Sequence, residues 1–123
     1  MMAEKRLPVS EEQMLELAKT YDTPFHLYDE KAIRENIRKL RQAFSWAPMF
    51  REYFAIKATP NPFLMKILKE EGAGSDCSSL AELELSQRIG VSGEDIMFTS
   101  NDPPAVEYKR ARELGAVINL DDI

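Results

Sequence analysis

Residues 53–100 read YFAIKATPNPFLMKILKEEGAGSDCSSLAELELSQRIGVSGEDIMFTS, in which short apolar runs alternate with longer amphipathic runs. The short runs predict strands, and the longer runs, whose apolar residues recur every three or four positions, predict helices. A further apolar run closes the series, so we predict strands at 52–57, 73–77, 96–100 and 116–120. About 20 residues separate the ends of successive strands, which is room for a crossover helix, and the pattern therefore predicts a parallel sheet.

Helix-start signals precede the predicted helices. A Ser or Thr followed three residues later by Glu or Gln forms a capping box, and Asn or Asp followed by Pro also favours a helix start. These signals are Ser10 with Gln13, Asp29, Asn61 with Pro62, Ser79 with Glu82, and Asp102 with Pro103. Ahead of the sheet we therefore predict a helix from Ser10, a short strand over 25–28 and a second helix from Asp29.

Four strand–helix units are half of a (β/α)8 barrel, which holds eight such units in about 250 residues. A doubly wound open sheet fits the same alternation, although no G-x-G-x-x-G turn follows any predicted strand. The third strand, 96–100, reads as apolar throughout, which predicts burial on both of its faces. We therefore predict an α/β fold with a parallel sheet, and we expect the chain to be the first part of a longer protein.

Composition argues against several classes of function. The chain has 16 basic and 21 acidic residues, a formal charge of −5, and a chain without a basic run is a poor partner for nucleic acid. It contains no apolar run of the roughly 18–20 residues that a membrane helix needs. Its single cysteine excludes an internal disulfide and a cysteine zinc site. We therefore predict a cytoplasmic protein with no nucleic-acid partner, no membrane contact and no metal site.

Polar residues follow the apolar run of each predicted strand, where the active sites of parallel α/β folds gather. Residues of these types also cap the helices that follow, so an active site and simple capping are both open explanations. The residues are Lys57 with Thr59, Asp76 with Ser78, Thr99 with Ser100 and Asn101, and Asn119 with Asp121.

Lys57 is the unusual member of this set, because it directly follows the apolar run 53–56. A lysine at the end of a buried strand loses solvation, which disfavours its ammonium form. A neutral amine is a nucleophile towards aldehydes and forms a Schiff base with them. The alternative is a lysine whose amine extends past the strand end into solvent.

Four segments around these residues resemble the pyridoxal-phosphate-dependent decarboxylases that have an alanine-racemase-like barrel. They are Thr23–Asp29, Tyr53–Pro62, Gly74–Leu83 and Ile96–Asn101, and they stand in the family's order and spacing. The resemblance extends from about Thr23 to Ile123, and it is strongest to the diaminopimelate decarboxylases within this family. It implies a partial (β/α)8 barrel of about four units, with residues 1–28 as a preceding helix and strand and residues 29–123 as the first half of the barrel.

The same resemblance implies a cofactor and the residues that bind it. The resemblance implies that Lys57 is the catalytic lysine that holds pyridoxal 5'-phosphate. It implies that Asp76 orients the cofactor or acts on it electrostatically. Ala55 and Thr59, which lie beside Lys57 in the sequence, are implied as further cofactor contacts. Thr59 stands where many members have Asn, which predicts a small change in local hydrogen bonding. The family's phosphate loop comes from later barrel strands.

The implied reaction is the decarboxylation of a small amino acid, meso-diaminopimelate to L-lysine and CO2, by a homodimer. In the family, the strand matching 25–28 pairs with a C-terminal β-domain. We expect no turnover from these 123 residues alone. Two alternatives stay open. One is a decarboxylase of ornithine, arginine or a carboxylated polyamine on the same barrel, and the other is a non-catalytic binding relative.

Overall fold

The structure, a computed structural model, describes residues 7–120. Two helices, α1 (Glu11–Thr20) and α2 (Glu30–Ala43), precede the sheet. Strands and helices then alternate as β1 (Tyr53–Ala55), α3 (Pro62–Glu70), β2 (Gly74–Cys77), α4 (Leu80–Arg88), β3 (Ile96–Thr99), α5 (Ala105–Glu113) and β4 (Val117–Asn119). Short 3-10 turns cover Ile56–Ala58 and Gly93–Asp95. Within residues 7–120, every helix is too short or too polar to cross a membrane.

The four strands form one parallel sheet in the order β1-β2-β3-β4. Ala55 lies opposite Asp76, Asp76 opposite Met97, and Thr99 opposite Asn119. A doubly wound sheet reverses its strand order at a switch point, whereas a barrel adds its strands in sequence. The observed order therefore supports the barrel over the open sheet. The predicted α/β fold with part of a barrel is confirmed, and all four predicted strands are present.

The core lies on one face of this sheet. Alternate residues along the strands are buried there against α3, α4 and α5. The strands contribute Cys77, Ile96 and Phe98, the turn after β1 contributes Ile56, and the helices contribute Met65, Leu83 and Ala111. On the opposite face of β3, Met97 and Thr99 are only half-buried. The prediction that β3 is buried on both faces is therefore wrong for the described residues, because all three helices cover the same face.

The predicted capping residues of the first four helices accept hydrogen bonds from first-turn amides. They are Ser10 with Gln13 for α1, Asp29 for α2, Asn61 for α3 and Ser79 for α4. The predicted start at Asp102 is wrong, because α5 begins at Ala105 after Pro104 and has no side-chain cap. Two successive prolines hold the residues before them in an extended conformation, and this delays the helix.

The segment predicted as a strand over 25–28 has no strand conformation in the structure. A strand requires a neighbour that completes the ladder of hydrogen bonds, and no part of residues 7–120 pairs with this segment. Leu27 and Tyr28 are exposed, and α1 buries none of its residues. Parts of the predicted units 1–28 and 29–123, namely residues 1–6 and 121–123, lie outside the described residues, and the division stays a prediction.

A cluster of ion pairs joins α2 to the end of α3. The Glu71 side chain is only 9% exposed. It accepts hydrogen bonds from Arg38 at 2.6 and 2.7 Å and from Arg34 at 3.0 Å. Arg41 donates to the backbone oxygen of Glu71 at 2.8 Å. These bonds from Arg38 and Arg34 lower the pKa of the Glu71 carboxyl to about 2.

We expect the substitution Glu71→Gln to make the stability of the fold less dependent on pH. The pKa of Glu71 is lower in the folded protein than its ordinary value of 4.5. Its ionised side chain therefore stabilises the fold above about pH 4.5, and this contribution is lost as the pH falls towards 2. Thermal unfolding followed by circular dichroism should place the midpoint of Glu71→Gln several degrees below that of the wild type at pH 7, with a smaller difference at pH 3.

The matched control for this prediction is Glu113→Gln. The Glu113 side chain is 48% exposed and has one weak ion pair, with Arg110 at 3.4 Å. Exposed pairs contribute little to stability, so this variant should melt close to the wild type at both pH values. A difference between Glu71→Gln and the wild type that does not change with pH would contradict the prediction.

Candidate active site

The carboxyl ends of the four strands meet at one edge of the sheet, and polar residues stand there on the face that the helices leave uncovered. Strand pairing places Ala55, Asp76 and Met97 side by side in one row on this face. Thr99 and Asn119 form the next row towards the edge, and Asn119 Nδ2 donates to Thr99 Oγ1 at 3.4 Å. Three strand-end residues that the sequence singled out, Asp76, Thr99 and Asn119, therefore share one face.

Asp76 presents a buried acceptor without a donor. Its Oδ1 is inaccessible to solvent and has no hydrogen-bond partner among residues 7–120. A buried carboxylate oxygen without a donor costs free energy, so this atom can accept a hydrogen bond that residues 7–120 do not supply. Its neighbour across the β1–β2 pair is Ala55, whose methyl side chain occupies little of the space beside the carboxylate.

Lys57 lies two residues beyond Ala55, in the 3-10 turn that follows β1. The strand ends before Lys57, and the turn directs Ile56 into the core and leaves Lys57 exposed. Of the two alternatives for Lys57, the exposed side chain matches the one in which the amine extends past the strand end into solvent, and not the desolvated amine. An exposed primary amine at the edge of the sheet is accessible to an aldehyde.

Thr59 ends the same turn and is half-buried. Its amide donates to the Ile56 carbonyl at 3.0 Å, and its own carbonyl accepts from the Asn61 amide at 2.8 Å. The backbone of Thr59 thus joins the turn that presents Lys57 to the start of α3. These bonds explain how Thr59 shapes the turn, while a direct contact between Thr59 and a cofactor stays a prediction.

The segment after Asp76 is held by carboxylates from two helices. The Ser78 amide donates to Glu82 Oε2 at 2.8 Å, and the Leu80 amide donates to Glu107 Oε1 at 2.9 Å. These carboxylates occupy amides at the start of α4, where an anion would otherwise bind. The sequence identified Glu82 through its capping box but not Glu107, because a contact across 27 positions leaves no local pattern.

The thiol and the acidic residues offer no competing chemistry within residues 7–120. Cys77 is fully buried, and this burial raises the pKa of its thiol to about 12. A thiol that stays protonated at neutral pH is a poor nucleophile. No three His, Cys, Asp or Glu side chains in the described range are grouped as metal ligands. Asp121, which the sequence placed at a strand end, lies outside that range.

The residues at this edge fit part of the pyridoxal 5'-phosphate that the sequence resemblance implies. The exposed amine of Lys57 suits its aldehyde, and Oδ1 of Asp76 suits a donor group on the cofactor. The start of α4 does not suit its phosphate, since the carboxylates of Glu82 and Glu107 already bind amides there.

Known proteins share sequence and fold with this chain. Protein TabA of Pseudomonas amygdali pv. tabaci is 50% identical over 107 residues, which are 87% of this chain and 25% of TabA. The diaminopimelate decarboxylase of Methanothermobacter thermautotrophicus is 39% identical over 108 residues, which are 87% of this chain and 25% of that protein. The crystal structure of lysine decarboxylase from Selenomonas ruminantium aligns with a TM-score of 0.84 at 27% identity, over 97% of this chain and 31% of that chain.

The chain thus spans about a quarter of the length of the curated relatives it matches. Residues 30–122 match the family described as pyridoxal-dependent decarboxylase, pyridoxal binding domain. This range includes all four strands and the turn that carries Lys57. The family resemblance read from the sequence is therefore confirmed, and pyridoxal phosphate is the cofactor of that family. The chain belongs to the pyridoxal-dependent decarboxylases, through their pyridoxal-binding domain.

Proposed function

We propose that this chain binds pyridoxal 5'-phosphate through Lys57, as the cofactor-binding part of an amino-acid decarboxylase. The observation that carries this proposal is the buried Oδ1 of Asp76. It has no donor within the described residues and lies on the strand next to the one that leads into the turn of Lys57. When bound, pyridoxal phosphate supplies an electron sink for the electron pair that remains as CO2 leaves.

The residues of the site have distinct tasks in this proposal. Lys57 would hold the ligand at the edge of the sheet through its primary amine, because such an amine condenses with an aldehyde and releases water. Asp76 accepts a hydrogen bond from a donor on the ligand and so sets its orientation. The small side chain of Ala55 leaves room beside that carboxylate, and Thr59 holds the turn of Lys57 through its two backbone bonds.

The substrate that we propose is meso-diaminopimelate, with L-lysine and CO2 as products. The likeness to a diaminopimelate decarboxylase over most of the chain supports this choice. A second candidate is another amino acid, such as lysine, ornithine, arginine or a carboxylated polyamine, because the fold is also shared with a lysine decarboxylase. Release of CO2 from each compound by the full-length protein distinguishes these candidates. No release from any of them would favour a non-catalytic binding relative.

We also propose that residues 1–28 and 29–123 are separate units, and that the full-length protein is a homodimer. The first helix supports the division, since α1 buries none of its residues, whereas Ile37 of α2 packs with Leu68 of α3. Light scattering of the full-length protein tests the dimer, and a mass of one protomer would refute it.

A reduction experiment tests the binding site. The full-length protein is mixed with pyridoxal phosphate, reduced with borohydride, digested and mapped by mass spectrometry. We expect a dominant adduct on Lys57. Lysines on the surfaces of α2 and α3, such as Lys39 and Lys66, are exposed and serve as internal controls. Adducts spread evenly over such lysines would refute the proposed site.

The substitution Asp76→Asn is expected to weaken pyridoxal phosphate binding. The asparagine side chain has nearly the same shape as the aspartate side chain, but it lacks the negative charge that strengthens the hydrogen bond to a ligand donor. We expect a loss of affinity of about tenfold, which corresponds to one charge-assisted hydrogen bond. Fluorescence titration with pyridoxal phosphate measures the affinity. Asp95→Asn, at an exposed position of the Gly93–Asp95 turn, is the control. Equal affinities of Asp76→Asn and the wild type would contradict the role of Asp76.

A further inference from the structure

We infer that Glu107 of α5 is a positioning residue for the candidate site, because it fixes the segment that follows Asp76. This inference rests on the proposed function, since it assigns Glu107 a role in holding the site that Lys57 and Asp76 form. Glu107 itself lies outside the row of site residues and acts through Leu80.

The segment from Cys77 to Leu80 is held at each of its residues. Cys77 Sγ and Ser86 Oγ lie 3.3 Å apart, within hydrogen-bond distance. The Ser78 amide and the Ser79 hydroxyl both donate to the Glu82 carboxylate. These three contacts are made by β2, α4 and the two residues between them. The fourth contact comes from another helix: the Leu80 amide donates to Glu107 Oε1 at 2.9 Å.

This segment and the turn of Lys57 continue from two paired strand ends. Ala55 and Asp76 are paired across β1 and β2, and the turn Ile56–Ala58 follows one strand while the β2–α4 connection follows the other. A displacement of the β2–α4 connection therefore changes the end of β2 that is paired with the strand leading to Lys57. The Asp76 carboxylate also depends on this connection, since no hydrogen bond within residues 7–120 restrains its Oδ1.

Glu107 is well placed to hold the connection, because α5 is itself fixed against α4. Arg110 lies one turn further along α5 and donates to Glu84 Oε1 at 2.7 Å. Ala111 of α5 is fully buried in the core. The Glu107 carboxylate is half-buried, and it accepts from an amide of the first turn of α4, where the helix dipole favours a negative charge. Glu107 therefore makes a charge-assisted hydrogen bond from a helix that is itself held in place.

Three variants of the full-length protein test this inference. Glu107→Ala removes the acceptor, Glu107→Gln keeps a carbonyl acceptor, and Glu113→Ala changes a half-exposed carboxylate on the same helix. For Glu107→Ala we expect amide hydrogen exchange at Leu80 to rise about tenfold, because the amide loses its partner. We also expect the affinity for pyridoxal phosphate to fall about fivefold, which is less than the loss expected from direct contact.

Rescue separates positioning from a general structural role. We expect Glu107→Gln to restore both the protection of Leu80 and most of the cofactor affinity, and Glu113→Ala to leave both unchanged. Unchanged cofactor affinity in Glu107→Ala, or no rescue by Glu107→Gln, would overturn the positioning role while leaving the proposed function intact. Failure of the wild type to form the Lys57 adduct would overturn the proposed function, and the positioning role with it.

Discussion

Lys57→Ala should abolish covalent trapping of pyridoxal phosphate and lower the decarboxylase activity of the full-length protein by at least about 10³-fold. The size of this loss follows from the task of the lysine, since removing the nucleophile of an enzyme costs activity on this scale or more. Lys57 is exposed in the turn after β1 and makes no contribution to the buried core. The variant should therefore fold normally, and its loss of activity should not reflect unfolding.

Two further variants make this prediction specific. Lys57→Arg keeps a positive charge but offers no amine of comparable nucleophilicity, so it should be as inactive as Lys57→Ala. Lys66→Ala removes an exposed lysine from α3, the helix that follows the turn, and should retain wild-type activity and trapping. Mass spectrometry after borohydride reduction and a CO2-release assay measure the two effects. Retention of the adduct or of more than about a tenth of the activity in Lys57→Ala would refute the catalytic role.

Phe98→Ala should lower the free energy of unfolding by about 3–5 kcal/mol, the usual cost of removing a buried phenyl ring. Phe98 is 0% exposed in the centre of β3, and its ring meets that of Tyr108 edge to face, with 5.8 Å between the ring centres. Phe98 shares its core cluster with Met65, Leu83 and Ala111, which belong to three different helices. These helices cannot close over the space left by the ring without shifting against the sheet. Urea unfolding followed by circular dichroism measures the loss.

Phe63→Ala is the matched control for this prediction. Phe63 lies in the first turn of α3 and is 78% exposed. Its replacement by alanine should change the free energy of unfolding by no more than about 0.5 kcal/mol. A similar effect of the two substitutions would contradict the assignment of Phe98 to the core of the protein.

Periodic patterns in the sequence predicted the order of strands and helices, because spacing along the chain is local information. They did not predict which face of the sheet is covered, since an apolar residue such as Met97 reads the same on either face. A related reason explains why the segment 25–28 has no strand conformation among the described residues. Its pattern suits a strand, but pairing depends on a neighbour, and residues 7–120 supply none. The late start of α5 could have been predicted from the two prolines before it.

The candidate site, like the fold, was predictable only where the signal lies in the local sequence. Lys57 and Asp76 were identified because each lies near the carboxyl end of a predicted strand, and the structure places them at one edge of the sheet. The exposure of Lys57 was one of two alternatives that the sequence left open, because the sequence does not signal that β1 ends at Ala55 and continues as a 3-10 turn. Glu107 was missed because its contact with Leu80 depends on how two helices pack.

The burial of Cys77 makes this residue a natural reporter of opening motions. Its sulfur is closed off between β2 and α4, with the Ser86 hydroxyl 3.3 Å away. A thiol reagent gains access only when the helix separates from the sheet, so the rate of modification follows the population of opened molecules. The chain has one cysteine, and that cysteine adjoins Asp76. The rate of Cys77 labelling therefore measures the local stability of the strand beside the proposed cofactor, without any engineered probe.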